Sequence, residues 1–271
     1  MPDFKKLLPL NTLHQLSPYT SMYSPDIYEI ELDEYLGIYS HVSSSGLKQI
    51  LRSPSHFRRY LNRKEESIPH LDLGTAVHCA ILEPERFHQE YIPIPVSRAD
   101  IFHEEDLRLI QSEQKSQVRF LTESQMNAVM GIQQQLERKP EIVELLRAGK
   151  AESSLFWQDE ETGIRCKIRP DLLVLPDLML ELKTTFDPSA AVFQRTSLMQ
   201  FYHLAAAMYR EGVAHVTGAH PSYMFVVACR FPPYTVETFV PSPAMLHEGK
   251  VLFREALRKL KAEKELAHPY L

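Results

Sequence analysis

The sequence predicts a mixed α/β fold, a central sheet covered by helices. Three observations carry this. Residues 41–150 hold several stretches with helical spacing. The next ninety or so residues hold short apolar runs bounded by turn residues. Residues 242–266 then return to one long, charged helical pattern. The order is helices, three strands, helix, strands, helix, with no internal repeat.

Each element has its local reason. Residues 1–40 are rich in Pro, Ser and Tyr without periodicity and read as an irregular arm. Ser43 to Ser45 are good N-caps, and Leu47, Ile50 and Leu51 follow at helical spacing. Pro54 opens a second helix carrying Phe57, Tyr60 and Leu61. LDLGTAVHCAILEPERF reads as a buried helix from about Gly74, with Val77, Ala80, Ile81 and Phe87 inward. Residues 93–120 are polar and read as an insertion or flexible loop. Helices over 123–138 and 141–148 are separated by Pro140. ESSLFWQD, GIRCKIRPDLLVL and LMLELKT read as three strands, turning at Glu160–Gly163 and Leu175–Asp177. Residues 188–212 are helical, and PSYMFVVACR and TVETFV are two further strands. The expected organisation is one domain over 41–271: a helical part (41–150), a sheet core (151–240) and a last helix (242–266).

Composition narrows the function. Lys and Arg number 30 against 35 Asp and Glu, a formal charge of -5 in 271 residues. That excludes a protein that coats nucleic acid by bulk positive charge, but not a local basic cleft. Cys79, Cys166 and Cys229 are dispersed, with no CxxC pair, so a disulfide framework or iron–sulfur site is not expected. No GxGxxG or GxxxxGK[ST] appears. No apolar run reaches 18 residues and no signal-peptide h-region opens the chain, so no membrane partner and a cytoplasmic location are expected.

The sharpest local signal is Arg169-Pro170-Asp171 followed by Glu181-Leu182-Lys183. An acid, a gap of about ten residues, then acid–x–lysine on a strand is a metal-dependent nuclease arrangement. Alternation puts Glu181 and Lys183 on one face. Two carboxylates offer oxygen ligands to Mg²⁺, which stabilises charge on a phosphate and lowers the pKa of a bound water. The lysine neutralises developing charge or orients that water. The hairpin carries a condition. A two-residue turn would set Asp171 opposite Leu182, facing the wrong side, so the loop must be odd or bulged. The plain alternative is a set of surface charges at strand ends. Leu172–Leu175 and Leu178–Leu182 oppose it, because charges bordering buried strands need a partner or an ion.

With these residues in view, the chain resembles the PD-(D/E)XK nuclease superfamily, and within it the RecE-type exonuclease VIII group of phages and prophages. The blocks that carry the resemblance are SSSGLKQILRSPSHFRRYL, LGTAVHCAILEPERF, TGIRCKIRPDLLV, LELKTT and FYHLAAAMYREGV. They span roughly residues 41–265. The resemblance implies a restriction-endonuclease-like core of α-β-β-β-α-β order with an N-terminal helical extension. It implies that His78, Asp171 and Glu181 bind the metal, with the carbonyl of Leu182 completing the shell, and that Lys183 is the catalytic lysine. Glu152 is an auxiliary or second-metal acid on this view, or else a surface acid. Thr184 and Thr185 continue a KTT signature and position a phosphate or the strand end. Tyr209 matches the tyrosine of a later helix, but Ala205 stands where the family carries glutamine. Gln200, about one and a half turns earlier, is the candidate substitute.

The basic residues expected at DNA are Arg165, Lys167 and Arg169, alternating at period two near the acids, together with Arg58 and Arg59. Arg52, Arg63 and Lys64 lie in the same N-terminal region, whereas the last helix mixes Lys and Arg with Glu and reads as a solvated face. The resemblance further implies 5′-to-3′ digestion of linear double-stranded DNA from its ends, with Mg²⁺ as cofactor and Mn²⁺ as a substitute. It implies a RecT-type single-strand annealing protein as partner in recombination and a ring-shaped homo-oligomer. The rival readings are another RecB-like or Cas4-like nuclease, an endonuclease, or a catalytically weakened DNA-end-binding module.

Overall fold

The computed structural model describes residues 25–62, 73–94 and 118–267. The expectations placed on residues 1–24, on Arg63 and Lys64, and on the polar stretch 95–117 lie outside the described residues.

The described chain opens with strand β1 (Asp26–Tyr28) and helix α1 (Leu32–Gly37). Helices α2 (Ser44–Arg52), α3 (Pro54–Leu61), α4 (Leu73–Leu82) and α5 (Pro84–Glu90) follow. Strands β2 (Tyr91–Ile94) and β3 (Arg119–Thr122) pair in parallel and lead to α6 (Glu123–Glu137) and α7 (Pro140–Ala148). Next come β4 (Lys150–Ala151), β5 (Ser154–Gln158), β6 (Arg165–Ile168), β7 (Leu172–Val174) and β8 (Leu178–Thr185). Helices α8 (Ala190–Met199) and α9 (Tyr202–Thr217) cross over to β9 (Ser222–Cys229), then β10 (Val236–Phe239) and α10 (Pro243–Ala267).

The N-cap read from sequence at Ser43 is in place, and two further caps join it. Ser43 caps α2, its side chain accepting from the Gly46 amide, and Ser53 caps α3 ahead of Pro54. Thr122 and Gln125 form a full capping box at α6.

The main sheet is mixed and runs β10-β9-β8-β7-β4. Only β8 and β9 pair in parallel in it, which is why a two-helix crossover joins them. Alternation along β8 divides the core. Met179 lies with Tyr223, Phe225 and Val227 against Leu47, Leu204, Phe253 and Leu257 from α2, α9 and α10. Leu180 and Leu182 lie with Val226 and Ala228 against Val77, Val129, Ile132 and Ile142 from α4, α6 and α7. Both faces are covered, so β9 is apolar almost throughout. The three cysteines are buried and unpaired.

Three details depart from the sequence expectation. GIRCKIRPDLLVL is not one strand. Its first half is β6 and its second half β7, in different sheets, because Pro170 donates no amide hydrogen and the chain turns at Arg169–Asp171. With β1 and β6, β5 forms a separate three-stranded sheet, β1-β5-β6. Residues 25–40 are not irregular: β1 pairs with β5, and α1 packs Tyr35 and Ile38 on Phe156. Residues 188–212 form two helices broken at Phe201, whose φ of 54° is left-handed.

Helices α9 and α10 approach closely where a glycine permits it. A Cβ at Gly249 would stand 2.0 Å from the backbone oxygen of His203. Gly249→Ala therefore forces these helices apart. The expected cost is about 1–3 kcal/mol, that of overpacking a filled interface. Urea unfolding should show a lower midpoint with an unchanged slope.

Candidate active site

The site forms where β7 leaves β8. Only Leu178 to Leu180 of β8 pair with β7, through Leu180↔Leu172, Met179↔Leu173 and Leu178↔Val174. Leu175, Pro176 and Asp177 join the strands. This odd connection continues the register so that Asp171 falls opposite Glu181. Asp171 is already off the ladder, and its side chain replaces the missing strand: Oδ2 accepts from the Leu182 amide at 2.7 Å. A backbone donor exposed by the departing strand is thereby satisfied, and a carboxylate is fixed at the strand edge.

Two further groups converge on it. Helix α4, packed by Ala76, Val77 and Ala80, presents His78, whose Nδ1 lies 3.6 Å from Asp171 Oδ2. Glu152 lies between β4 and β5 with a left-handed φ of 52°, a conformation that costs free energy for a residue with a Cβ. Its backbone amide donates to the Asp171 carbonyl at 3.1 Å. Its Oε2 accepts from Arg169 Nε at 2.6 Å. Ligand atoms of His78, Glu152 and Asp171 lie within 4.8 Å of one another. Glu181 borders this group: Oε2 accepts from Lys183 Nζ at 2.7 Å, while Oε1 is buried with no hydrogen-bond partner among the described residues.

The electrostatics follow from crowding acids in a buried place. Burial, and then the charge of Glu181, push the Asp171 carboxyl up to about 8, against the opposing pull of Lys183. Burial and then Asp171 raise Glu152, while Arg169 opposes. Burial and then Lys183 lower His78, leaving a neutral ring. A divalent cation would reverse this crowding. Two carboxylates, a neutral imidazole and the orphaned Glu181 oxygen fit such an ion, with hard oxygen donors in the majority. His78, Glu152 and Asp171 would hold it, with Glu181 adjacent. Glu181 is thus bound to the lysine rather than placed in the three-residue cluster, and Glu152 stands inside that cluster.

The surroundings of Lys183 hold its charge. Its Nζ donates to Glu181 and, at 3.1 Å, to the Leu182 carbonyl, and it sits 5.7 Å from the ring centroid of Tyr202. Burial alone would lower its pKa, but the charges of Glu181 and Asp171 outweigh burial and hold it protonated.

Other residues singled out in the sequence have different tasks. Lys167 and Arg169 do not line an open face. Lys167 is buried, donating to the carbonyls of Tyr35 at 2.5 Å and Ile38 at 2.9 Å. Arg169 donates to Ile30 O at 2.8 Å and Ser154 Oγ at 2.7 Å besides Glu152. Both tie the 25–40 segment to the body. Arg165 is exposed on β6. Arg58 pairs with Glu263 at 3.2 Å, whereas Arg59 is exposed. Tyr209 reaches the Arg169 carbonyl at 3.5 Å and so braces the corner before Asp171. Gln200 caps α8 and is exposed, outside the helix that carries Tyr209. Thr184 Oγ1 accepts from Arg230 Nε at 3.2 Å, and Thr185 closes a local turn with Asp187.

Two site residues escaped the sequence reading. Tyr202 stands two helical turns before Tyr209, a spacing that signals a shared face. Lys48 on α2 sits 5.6 Å from the same Tyr202 ring. It makes no ion pair or hydrogen bond among the described residues. Burial and then Lys183 lower its pKa to about 8, with Glu181 opposing. Nothing singles Lys48 out within its sequence block, because its partners come from β8 and α9.

Comparison with known proteins bears on the fold and the family. No curated protein matches the chain. Among solved structures, a "putative exonuclease" from Eubacterium rectale superposes with a TM-score of 0.60 at 16% identity, over 88% of this chain and 87% of that one. That likeness concerns the fold. The structure of SSO0001 is 14% identical over 70% of this chain and 84% of that one, with a TM-score of 0.31, and carries no argument. The PDDEXK-like domain of unknown function DUF3799 matches residues 43–269, nearly all of the described chain, and the chain therefore belongs to that PDDEXK-like family.

Proposed function

We propose that this protein is a metal-dependent deoxyribonuclease that hydrolyses phosphodiester bonds, acting as a RecE-like 5′-to-3′ exonuclease on linear double-stranded DNA. One observation carries the reading: His78, Glu152 and Asp171 converge within 4.8 Å, beside the Glu181–Lys183 pair. Mg²⁺ is the proposed ion, with Mn²⁺ as substitute. When bound, such an ion supplies Lewis acidity and an acidified water. The chain's own groups do the rest. Asp171 is fixed by the Leu182 amide and so keeps its place as charge develops. Lys183 is held protonated by Glu181, 2.7 Å away, and is placed to stabilise charge on the phosphate in the transition state. Lys48 adds a second positive group on the Tyr202 ring. The name of the Eubacterium rectale protein is in line with an exonuclease. Double-stranded DNA ends as substrate, a RecT-type annealing protein as partner, a role in recombination, a ring of subunits and a cytoplasmic location complete the proposal. No helix among the described residues is long and apolar enough to cross a membrane.

Ala205 and the outlying Gln200 favour one rival, a DNA-end-binding module with weakened catalysis. Incubation with linear and covalently closed duplex DNA separates the two. Loss of the linear form alone, abolished by EDTA, is expected. Lys183→Ala should lower the rate by at least about 100-fold, the scale of losing one charge-stabilising group. Nicking of closed DNA would point to an endonuclease. Binding without cleavage in both Mg²⁺ and Mn²⁺ would support the binding module.

The raised Asp171 pKa sets a pH dependence. Its folded value, about 8, lies above its ordinary 3.8. Without metal, this group's contribution to stability is fully present below about pH 4 and is lost as pH rises through 8. Metal binding requires the carboxylate and so releases a proton below pH 8. Mg²⁺ should therefore raise the melting temperature more at pH 8.5 than at pH 6.5, and Asp171→Asn should abolish the rise. An equal rise at both pH values would remove Asp171 from the ligand set.

A further inference from the structure

The C-terminal ends of the parallel strands β8 and β9 carry an aromatic ledge that the proposed chemistry does not use. Phe186 is 70% exposed and Phe231 is 52% exposed, with ring centroids 5.5 Å apart. Neither ring belongs to the core clusters. Arg230 lies between them in sequence, its guanidinium 5.4 Å from the Phe186 ring and its Nε bonded to Thr184 Oγ1. The ledge is held by backbone bonds: Arg230 N to Thr185 O at 2.9 Å and Tyr234 N to Phe231 O at 2.7 Å. Cys229 Sγ donates to the Phe186 carbonyl at 3.4 Å. These contacts fix two large apolar faces in water, where they lose the transfer free energy that burial would give.

We infer that Phe186, Phe231 and Arg230 form a stacking platform for unpaired nucleobases of the DNA strand at the active site. The inference rests on the nuclease reading above. Phe186 follows Lys183 by three residues, so about 10 Å of chain separates platform from lysine at 3.3 Å per residue. That is roughly three stacked nucleotide steps at 3.4 Å. Exposed aromatic rings with an adjacent guanidinium match single-stranded nucleic acid, whose bases present π-faces and whose backbone is anionic. A protein partner or a lipid surface would explain the rings but not the arginine held between strand end and aromatic face. Ligands of open α/β sheets also gather beyond the carboxyl ends of strands. Thr184 gains a role through this arrangement: its hydroxyl orients the arginine.

Binding in EDTA, where cleavage is prevented, tests the platform. The probes are a blunt duplex, the same duplex with a few unpaired nucleotides at its end, and that end made abasic. The full chain should bind the frayed end more tightly than the blunt or abasic one. Phe186→Ala/Phe231→Ala should weaken the frayed-end complex by about tenfold or more, the scale of one lost stacked base, and leave blunt-duplex binding within about twofold. Phe186→Trp should retain the preference, and circular dichroism checks that both variants fold. Equal loss on all three probes, or no loss, would overturn the platform while leaving the nuclease reading intact. A variant whose sedimentation shows a smaller assembly than the parent would instead assign the ledge to subunit contact. Failure of the parent chain to bind or cleave any DNA would remove the nuclease reading and the platform with it.

Discussion

The hydrogen bond from the Leu182 amide to Asp171 Oδ2 is the constraint on which the site depends. It exists because β7 is short and leaves β8 after Leu180. A sheet strand that loses its neighbour exposes amides and carbonyls that must find partners. One of these amides takes a carboxylate here, and the carbonyl of the same residue takes Lys183. Acid and base are thereby set at one strand edge, with Glu181 and Lys183 turned to one side by alternation. The corner at Arg169–Asp171 does the rest. Pro170 prevents continuation of β6, Tyr209 braces the Arg169 carbonyl, and the Glu152 amide bonds that of Asp171. The site is thus a consequence of a broken ladder, with helix α4 bringing His78 from the far side of the sheet.

The cost of this construction is crowded charge. Among the described residues, Glu152, Asp171 and Glu181 come together with Arg169 and Lys183 as the permanently charged groups paired to them directly. Burial raises Asp171 and Glu152, lowers His78 and leaves one Glu181 oxygen without a partner among the described residues. Such a set is poorly balanced on its own and well balanced by a divalent cation. The formal charge of -5 therefore has local meaning, since part of that acidity is concentrated where an ion would offset it. Lys48 and Lys183, both set on the Tyr202 ring, provide the matching positive side, where the phosphate chain of a substrate would lie.

Much of this was legible in the sequence, for identifiable reasons. The cap at Ser43 and the helix-opening Pro54 are local signals, and their helices start where they dictate. The hairpin condition on Asp171 could be stated in advance because side-chain period in a strand is two, and Leu175–Asp177 meets it. What was not legible depends on distant partners. Lys167 and Arg169 looked like a basic face at period two. They are instead anchors, because α1 brings the carbonyls of Tyr35 and Ile38 over Lys167. The same docking gives residues 25–40 a strand and a helix that their composition did not announce. Lys48 and Arg230 acquire their importance only when α2, β8 and β9 meet. Glu152 was named as a candidate acid, but the left-handed backbone that brings it into the cluster is one no propensity would assign to it.

The chemistry of the site depends on whether the converging side chains hold a metal. Anomalous diffraction from crystals soaked in Mn²⁺ tests this most directly. A single peak is predicted within roughly 2.0–2.3 Å of a ligand atom from each of His78, Glu152 and Asp171, the range for oxygen and nitrogen donors bound directly to such an ion, and it should vanish in Asp171→Asn. Mn²⁺ bound elsewhere, with these three side chains unliganded at saturating ion, would contradict it.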